Sequence, residues 1–451
     1  MRFISLPLAL VAASQVAAQS AQLKVPYVLD TLPNGLTLIV HEDQSVPIVT
    51  TNIWYHVGSG DEKRGRTGFA HLFEHVMFMG SQHAPYPTFD TGLEAAGANN
   101  NGSTNNDRTN YFEWGPSNSV PLMLWLEADR MGWLLPVMTQ EKLDLQRDVV
   151  KNERRQGVEN QPYGIATDIL SAALYPSTHP HSWPVIGSMA DLSAASLEDV
   201  KEFFRTYYAP NNATIVVAGA VKADSIKQRV RQLFADIPRG PAIARATPAP
   251  FAVKDTFVVA EDRVQLPRMY LSWHTVKKFA ADDAALDAAA YLLAGARNSR
   301  LTNALVYEKE LTGDMIAFND SKKLDGDFTI RATARPGKQL DSALAIVDAE
   351  LRRLAQDGPT PRELEQGKNA IESQFLNQLE FVRAKADQLN EYHYFAGEPD
   401  YFQKDLDRYR AVTAEDVKRV VRKYLLAPRV TLSIVPLGKK EMGITKKEHI
   451  Q

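Results

Sequence analysis

Two patterns of hydrophobic spacing alternate along this chain. Short runs of closely spaced apolar residues are typical of strands, and apolar residues recurring every three or four positions are typical of helices. In the first half, residues 36–41 and 48–57 are predicted strands, and a Pro-Asn-Gly turn at 33–35 precedes the first of them. The helical pattern covers residues 89–96, 120–135 and 139–157.

A helix followed by a strand occurs once in each half of the chain. Residues 196–208 form a predicted helix with a serine cap and lead into a strand at 212–219. Residues 413–424 and 430–435 repeat this order. Five residues of the first helix recur 217 positions later: Glu198, Asp199, Val200, Lys201 and Tyr207. The match in residue type and order predicts a duplicated domain.

A proline-rich stretch separates the two copies. Residues 238–252 contain four prolines and a glycine among alanines, which is the composition of a semi-stiff linker. The predicted domains are therefore residues 19–237 and 253–451, joined by this linker.

The first eighteen residues have the features of a secretory signal peptide. Arg2 gives a positive start, residues 4–13 are apolar, and small residues at 16–18 suit cleavage before Gln19. The alternative is a buried N-terminal helix, which Pro7 disfavours. We therefore expect a periplasmic or secreted protein.

Composition and charge narrow the class of protein. The 451 residues are 44% hydrophobic and 23% charged, which is enough apolar material for two large cores. A net charge of -3 gives no support to a nucleic-acid partner, and no apolar run after the N-terminal segment is long enough to span a bilayer. Because the chain has no cysteine, any metal must be held by histidines and carboxylates.

The main chemical motif lies within residues 68–80. This stretch is apolar apart from His71, Glu74 and His75, and it is predicted to form a buried helix of about three turns. At about 100° per residue the three polar side chains share one face of that helix. Two imidazoles four residues apart can hold Zn²⁺, and His-x-x-Glu-His is the inverted order of a zinc-binding helix. Glu74 is then the candidate general base. A purely structural trio is the alternative, but three buried ionisable groups without a purpose would be costly.

A catalytic zinc needs a third protein ligand, and the helix at 139–157 offers four carboxylates. Glu153 shares the apolar face of Val149 and Val150, which favours it modestly over the others: Glu141, Asp144 and Asp148. The alternative is a surface glutamate paired with Arg154 or Arg155.

Residues 98–113 are polar and rich in asparagine, and they end in a predicted strand at 109–114. Such a strand is poor core material but would suit a sheet edge that accepts an extended peptide through backbone hydrogen bonds. A solvated loop and hairpin is the alternative.

The equivalent of the metal-binding helix in the second half, residues 284–293, has no ligand set, and the histidines there are interpreted as structural or surface residues: His274, His393 and His449.

Taken together, these motifs resemble the pitrilysin/insulinase (inverzincin) family of zinc metallopeptidases, which includes the mitochondrial processing peptidases. The resemblance rests on residues 67–75 and continues through 97–111, 149–155, 184–187 and 208–212, so it covers nearly the whole mature chain. It implies an α+β fold of two homologous half-domains, each a mainly antiparallel sheet flanked by helices, which together form half of a clamshell.

The resemblance also implies roles for individual residues. Glu153 would be the third Zn²⁺ ligand beside His71 and His75. The strand that holds the substrate backbone near the metal would carry Asn101, Gly102 and Ser103. A glutamate common in the family seven residues before the ligand is Gln146 here, so the tuning of the site is expected to differ.

A second departure from the family lies in the second half. Active members place an Arg and a Tyr there, seven residues apart, to grip the substrate and its developing oxyanion. The matching positions here are Val306 and Gly313, and the nearby Arg300 and Tyr307 are out of register. Some family members divide this labour between two half-length chains. The expected partner is therefore a half-length homologue that carries the Arg/Tyr pair, although a homodimer is possible.

Three functions follow as competing hypotheses. The first is a zinc endopeptidase subunit that hydrolyses extended or unfolded peptides once its partner is present. The second is a non-catalytic scaffold or binding subunit of the same fold, which the intact metal residues disfavour. The third is a zinc hydrolase for a non-peptide substrate, which the candidate edge strand disfavours.

Overall fold

A computed structural model describes residues 22–445 of the chain. The signal peptide predicted at 1–18, the start of the first predicted domain at 19–21 and His449 lie outside the described residues. Residues 238–255, which include the predicted linker, contain neither a helix nor a strand.

The first half builds a six-stranded sheet. Its strands are β1 (Val28–Thr31), β2 (Thr37–Glu42), β3 (Ile48–Tyr55), β4 (Asn99–Thr104), β5 (Thr109–Pro116) and β6 (Ala213–Gly219). Their order is β1-β2-β6-β3-β5-β4, and only the β2–β6 pair is parallel. The helices of this half are α1 (Phe69–Val76), α2 (Thr88–Ala95), α3 (Val120–Trp133), α4 (Gln140–Arg154), α5 (Ala166–Leu174), α6 (Met189–Ala194), α7 (Leu197–Tyr207) and α8 (Ala223–Phe234).

The second half repeats this sheet with five strands. They are β7 (Thr256–Asp262), β8 (Arg268–Thr275), β9 (Thr312–Ser321), β10 (Gly326–Ala334) and β11 (Val430–Pro436), in the order β7-β11-β8-β10-β9. Again one pair, β7–β11, is parallel. The helices are α9 (Asp283–Ala290), α10 (Leu340–Asp357), α11 (Pro361–Gln378), α12 (Val382–Ala396), α13 (Phe402–Ala411) and α14 (Ala414–Val420).

The duplication predicted from the sequence is confirmed in this topology. Strand β6 lies between a parallel and an antiparallel neighbour, and β11 occupies the same place in the second sheet. The preceding helices α7 and α14 begin with the same capping box, made by Ser196 with Asp199 and by Thr413 with Asp416. The predicted fold class, two mainly antiparallel sheets flanked by helices, is therefore correct.

Each sheet packs one face on a helix from the opposite half, an exchange that the sequence pattern did not predict. Helix α12 of the second half buries Ala386 and Leu389 against Ile39 and Val216 of the first sheet. Helix α5 of the first half packs on the second sheet, where Ala166 joins a buried cluster with strand β11. The two halves therefore share their cores and do not meet only at a linker.

The helix that carries the metal motif is shorter than predicted. Helix α1 spans eight residues, about two turns, because the backbone N–H groups of Phe78 and Met79 bond to carbonyls only three residues back. This tightening ends the α-helix at Val76. No helix within residues 22–445 is both long and apolar enough to cross a membrane.

Candidate metal centre

Buried backbone contacts fix the start of helix α1. Gly68 has a positive φ of 86°, and a Cβ atom there would lie 2.7 Å from the Ile186 carbonyl oxygen, so only glycine fits. The buried carboxylate of Glu62 accepts the N–H of Gly68 at 2.9 Å and that of Ala70 at 2.8 Å. Burial raises the pKa of Glu62, and these two hydrogen bonds oppose that effect. Glu62 thereby caps the free N–H groups at the helix start.

The two faces of helix α1 have different environments. Phe69, Leu72, Phe73 and Val76 are buried in the main core of the first half. The opposite face carries His71, Glu74 and His75, whose side chains are only partly exposed. The sequence prediction that these three residues share a face is confirmed.

Glu153 joins the two histidines from the last turn of α4. Its Oε2 lies 3.2 Å from His75 Nε2 and 3.7 Å from His71 Nε2. The two imidazole rings are nearly perpendicular, at 81° with centroids 5.0 Å apart. Among the described residues, His71, His75 and Glu153 form one of two clusters of histidines and carboxylates close enough to hold a metal ion.

The other three carboxylates of α4 are paired with basic residues or exposed to solvent. Asp144 bonds to Arg147, and Asp148 is largely exposed beside Lys151. The alternative partners of Glu153 are engaged elsewhere: Arg154 pairs with Asp168 and Glu159, and Arg155 donates a hydrogen bond to Asn152. The fourth candidate, Glu141, is exposed in the first turn of the helix.

The donor set fits a zinc ion. Two imidazoles and one carboxylate are a known ligand set of catalytic zinc, which keeps a further position open. Burial, and then the charge of His75, lower the pKa of His71 to about 4, so His71 is neutral and its lone pair is available. These three side chains are therefore chemically competent to hold Zn²⁺.

Glu74 is held beside this cluster by the polar strand β4. Its Oε2 accepts a hydrogen bond from Thr104 Oγ1 at 2.7 Å, and burial raises its pKa whereas this bond lowers it. The Cα of Gly102 faces the same side chain, since a Cβ atom there would lie 3.0 Å from Glu74 Cγ. Sequence reasoning missed the role of Thr104, because nothing in the sequence pairs it with a residue 30 positions earlier.

The polar stretch predicted at 98–113 does supply the terminal strand of the first sheet, which is β4, whereas the strand predicted at 109–114 is β5 and lies between β3 and β4. Asn101 is exposed and its Oδ1 accepts the N–H of Gly102, and the Ser103 hydroxyl donates to Asn110 at 2.7 Å. Gln146 is buried, and its amide donates to the Met79 sulfur at 2.7 Å.

The residues at the expected Arg and Tyr positions contribute no polar group. Val306 packs on the core of the second half, and Gly313 faces open space. The nearby Arg300 is occupied by a bidentate pair with Glu363, with both distances 2.8 Å. Tyr307 is half-exposed and stacks with Arg297.

The second cluster close enough to hold a metal was missed by sequence reasoning. It consists of His179, His181 and Asp325, all buried. His274, interpreted from the sequence as a structural or surface residue, lies 3.0 Å from Asp325. A His-x-His pair was the only local signal, and the carboxylate that completes the cluster is over 140 positions away.

Comparison with known proteins identifies a family for most of the chain. The family profile described as insulinase (peptidase family M16) matches residues 37–182, and the profile described as peptidase M16 inactive domain matches residues 194–371. The zinc protease PqqE of Helicobacter pylori is 28% identical over 87% of this chain and 89% of its own length. The mitochondrial-processing peptidase subunit beta of Lentinula edodes is 23% identical over 88% of this chain and 87% of its own length.

Solved structures of related proteins have the same fold as this chain. A protease from Helicobacter pylori superimposes with a TM-score of 0.87 and 25% identity, covering 92% of this chain and all of the other. A peptidase M16 inactive domain from Pseudomonas fluorescens has the same fold, with a TM-score of 0.82 over 91% of this chain and 98% of its own. The chain therefore belongs to the insulinase (M16) family of peptidases.

Proposed function

We propose that this chain is the zinc-bearing subunit of an endopeptidase that hydrolyses extended or unfolded peptides. One observation carries the proposal: His71, His75 and Glu153 converge from two helices, while the terminal strand β4 holds Glu74 beside them. Two relatives that this chain matches over most of their length are named zinc proteases, which supports the same chemistry.

The proposed ligands are His71, His75 and Glu153. A zinc ion bound there would polarise the scissile carbonyl and lower the pKa of a water molecule at its open position. Glu74 lies on the same helix face and would take the proton of the attacking water and pass it to the leaving amine. Thr104 holds the carboxylate in place for this transfer through its 2.7 Å hydrogen bond.

The substrate would bind along strand β4. As the terminal strand of the sheet, β4 can pair its outer backbone groups with an extended peptide, a common mode of peptide recognition. Gly102 and Thr104 both approach Glu74, so a peptide paired with this strand would run past the general base. Asn101, Gly102 and Ser103 are therefore the proposed contacts to the substrate backbone.

Turnover would require a second subunit. Val306 and Gly313 supply no donor for the developing oxyanion, and Arg300 is committed to Glu363. We propose that a half-length homologue with the Arg/Tyr pair supplies this donor and that the complex acts in the periplasm. A half-length homologue encoded in a neighbouring gene would be the first candidate.

Substitution of the general base tests the chemistry. We expect Glu74→Gln to bind as much zinc as the wild-type chain but to lose at least 100-fold in hydrolysis of a quenched fluorescent peptide library in the presence of the partner. Glu141→Gln, an exposed glutamate on α4, is the matched control and should retain full activity. Wild-type hydrolysis by the Glu74→Gln protein would refute the assignment.

Assay of the purified chain alone tests the need for a partner. With zinc in excess the chain by itself should cleave the library poorly, and co-expression with the Arg/Tyr homologue should restore cleavage. Full activity of the isolated monomer would contradict the division of labour. Absence of activity in both samples, with zinc bound, would instead support the scaffold hypothesis.

A further inference from the structure

A group of imidazoles around one carboxylate lies where the two halves meet, and its His179, His181 and Asp325 are buried. His179 and His181 flank Pro180 in a short 3-10 turn of the first half. Asp325 comes from the turn between β9 and β10, and His274 comes from the end of β8, both in the second half. The group is separate from the cluster on helix α1 and shares no residue with it.

Three imidazole nitrogens lie within hydrogen-bond distance of the carboxylate. His181 Nδ1 lies 2.7 Å from Asp325 Oδ1, and both His179 Nε2 and His274 Nε2 lie 3.0 Å from Oδ2. Neighbouring ligands in a tetrahedral zinc site with bonds of about 2.0–2.1 Å are about 3.3 Å apart. The distances here are somewhat shorter than this value and than the 3.2 Å of the His75–Glu153 pair, so the donor atoms would move apart slightly on binding the ion.

Several of these polar atoms have no hydrogen-bond partner among the described residues. Both ring nitrogens of His181 and Oδ1 of Asp325 are buried and unpaired, although Nδ1 and Oδ1 are only 2.7 Å apart. The two atoms are close but not aligned for a hydrogen bond. An unpaired buried polar group costs about 1–3 kcal/mol, so these atoms require a partner, and a shared cation would satisfy two of them at once.

Aromatic side chains pack around the His179 and His274 rings. The Tyr175 ring stacks on His179 with centroids 4.8 Å apart, and Phe251 packs against His179 and His274. The side chains of His179 and His181 are 2% exposed. Little solvent reaches these two rings, and the low local dielectric strengthens the interaction of a cation with the Asp325 carboxylate.

We propose that His179, His181 and Asp325 bind a second Zn²⁺ ion, with the His274 ring holding the Asp325 carboxylate in place through its 3.0 Å contact to Oδ2. The three ligands are buried and come from both halves of the chain, so the ion would have a structural role. Imidazole and carboxylate ligands suit zinc, and the lack of thiolates does not prevent such a site. The proposal is independent of the function proposed for the site on helix α1.

One contact must change when the metal binds. His179 Nδ1 accepts the backbone N–H of His181 at 3.1 Å, whereas a neutral imidazole that ligates through Nε2 carries its proton on Nδ1. That bond would therefore be given up, and the turn at 179–182 would shift slightly. The bonds to the metal would take the place of this single 3.1 Å hydrogen bond between the His181 N–H and His179 Nδ1.

The site would clamp the two halves and stiffen the loop that supports helix α1. The segment after His181 leads to Gly187, whose Cα region abuts Gly68 so closely that a Cβ atom would lie 2.4 Å away. Arg154, the neighbour of Glu153, donates to the Gly187 carbonyl at 2.8 Å. Metal at the second site would thus hold the loop against both helices that supply the first site.

Metal counting on the full-length chain tests the proposal. After loading with Zn²⁺ and dialysis, native mass spectrometry should find two zinc ions per wild-type chain. The double variant His71→Ala/His75→Ala should bind one, because only the second site remains. One zinc in the wild-type chain and none in this double variant would overturn the proposal and leave the first site intact.

Variants at the second site complete the test. His181→Ala should bind one zinc, and its combination with His71→Ala/His75→Ala should bind none. His83→Ala is the matched control, because His83 is half-exposed, pairs with Asp129 and belongs to neither cluster, so it should bind two. A second zinc retained by His181→Ala would refute these ligands.

A further variant and a second readout guard against misfolding. Asp325→Asn keeps the size of the side chain and should also lose one zinc. In the His71→Ala/His75→Ala background, zinc should raise the unfolding temperature relative to EDTA, and Asp325→Asn should abolish this rise. Equal unfolding temperatures with zinc and with EDTA in that background would contradict a structural metal.

Discussion

The cap that Glu62 places on helix α1 allows a quantitative test of how the metal helix is held. The carboxylate is 7% exposed and accepts two backbone N–H groups, from Gly68 at 2.9 Å and Ala70 at 2.8 Å. Glu62→Ala would leave both N–H groups buried without an acceptor. At about 1–3 kcal/mol for each group, the expected loss is about 2–6 kcal/mol of the free energy of unfolding.

The same substitution should weaken zinc binding. His71 follows Ala70 directly, so a frayed helix start displaces a proposed ligand, and loss of such supporting contacts typically lowers metal affinity about 10–100-fold. Glu62→Gln keeps one oxygen acceptor and should lose about half as much stability as Glu62→Ala. Both the free energy of unfolding and the zinc affinity should therefore decrease from the wild type to Glu62→Gln and further to Glu62→Ala.

Urea unfolding and competition with a zinc chelator would measure the two effects. Glu94→Ala, an exposed glutamate on α2, is the control and should change stability by less than about 0.5 kcal/mol. If Glu62→Ala matches this control in both assays, the two hydrogen bonds do not support the helix, and the reasoning fails.

Two other predictions concern the general base and an ion pair. Thr104→Val removes the donor to Glu74 and should lower kcat/KM about tenfold with zinc content unchanged, whereas Thr91→Val on an exposed helix should have no effect; equal losses would contradict a positioning role. Arg300 lowers the pKa of Glu363 from 4.5 to about 2, so their pairing stabilises the fold above pH 4.5 and is lost as the pH falls toward 2. The loss should be on the order of 1–2 kcal/mol for this partly exposed pair, and in urea titrations at pH 5 and 3 Arg300→Gln should show a smaller decrease in stability than the wild type.

Local patterns in the sequence predicted several features correctly. The i, i+3, i+4 spacing placed His71, Glu74 and His75 on one helix face, because helical geometry depends only on neighbouring residues. The repeat of a capped helix and a strand predicted two similar sheets, and a polar composition predicted the edge strand β4. The length of the metal helix was the exception. Helix α1 ends at Val76, earlier than predicted, because the following N–H groups bond to carbonyls only three residues back.

Contacts between residues far apart in the chain could not be predicted from these local patterns. Periodicity favoured Glu153 only modestly among four carboxylates, and the packing of α4 beside α1 brought it to the histidines. The same holds for Thr104 with Glu74, and for Asp325, which reaches His181 from the other half of the chain.

The sequence by itself therefore determined the helix face that carries His71, Glu74 and His75, and the duplicated architecture. Only the tertiary structure decided which carboxylate completes the first site, how the two halves exchange α5 and α12, and that a second cluster exists. The physical reason is the range of the interactions. Helix and strand periodicity is fixed by bonds between near neighbours, whereas ligand clusters depend on how buried faces pack across long separations in the chain.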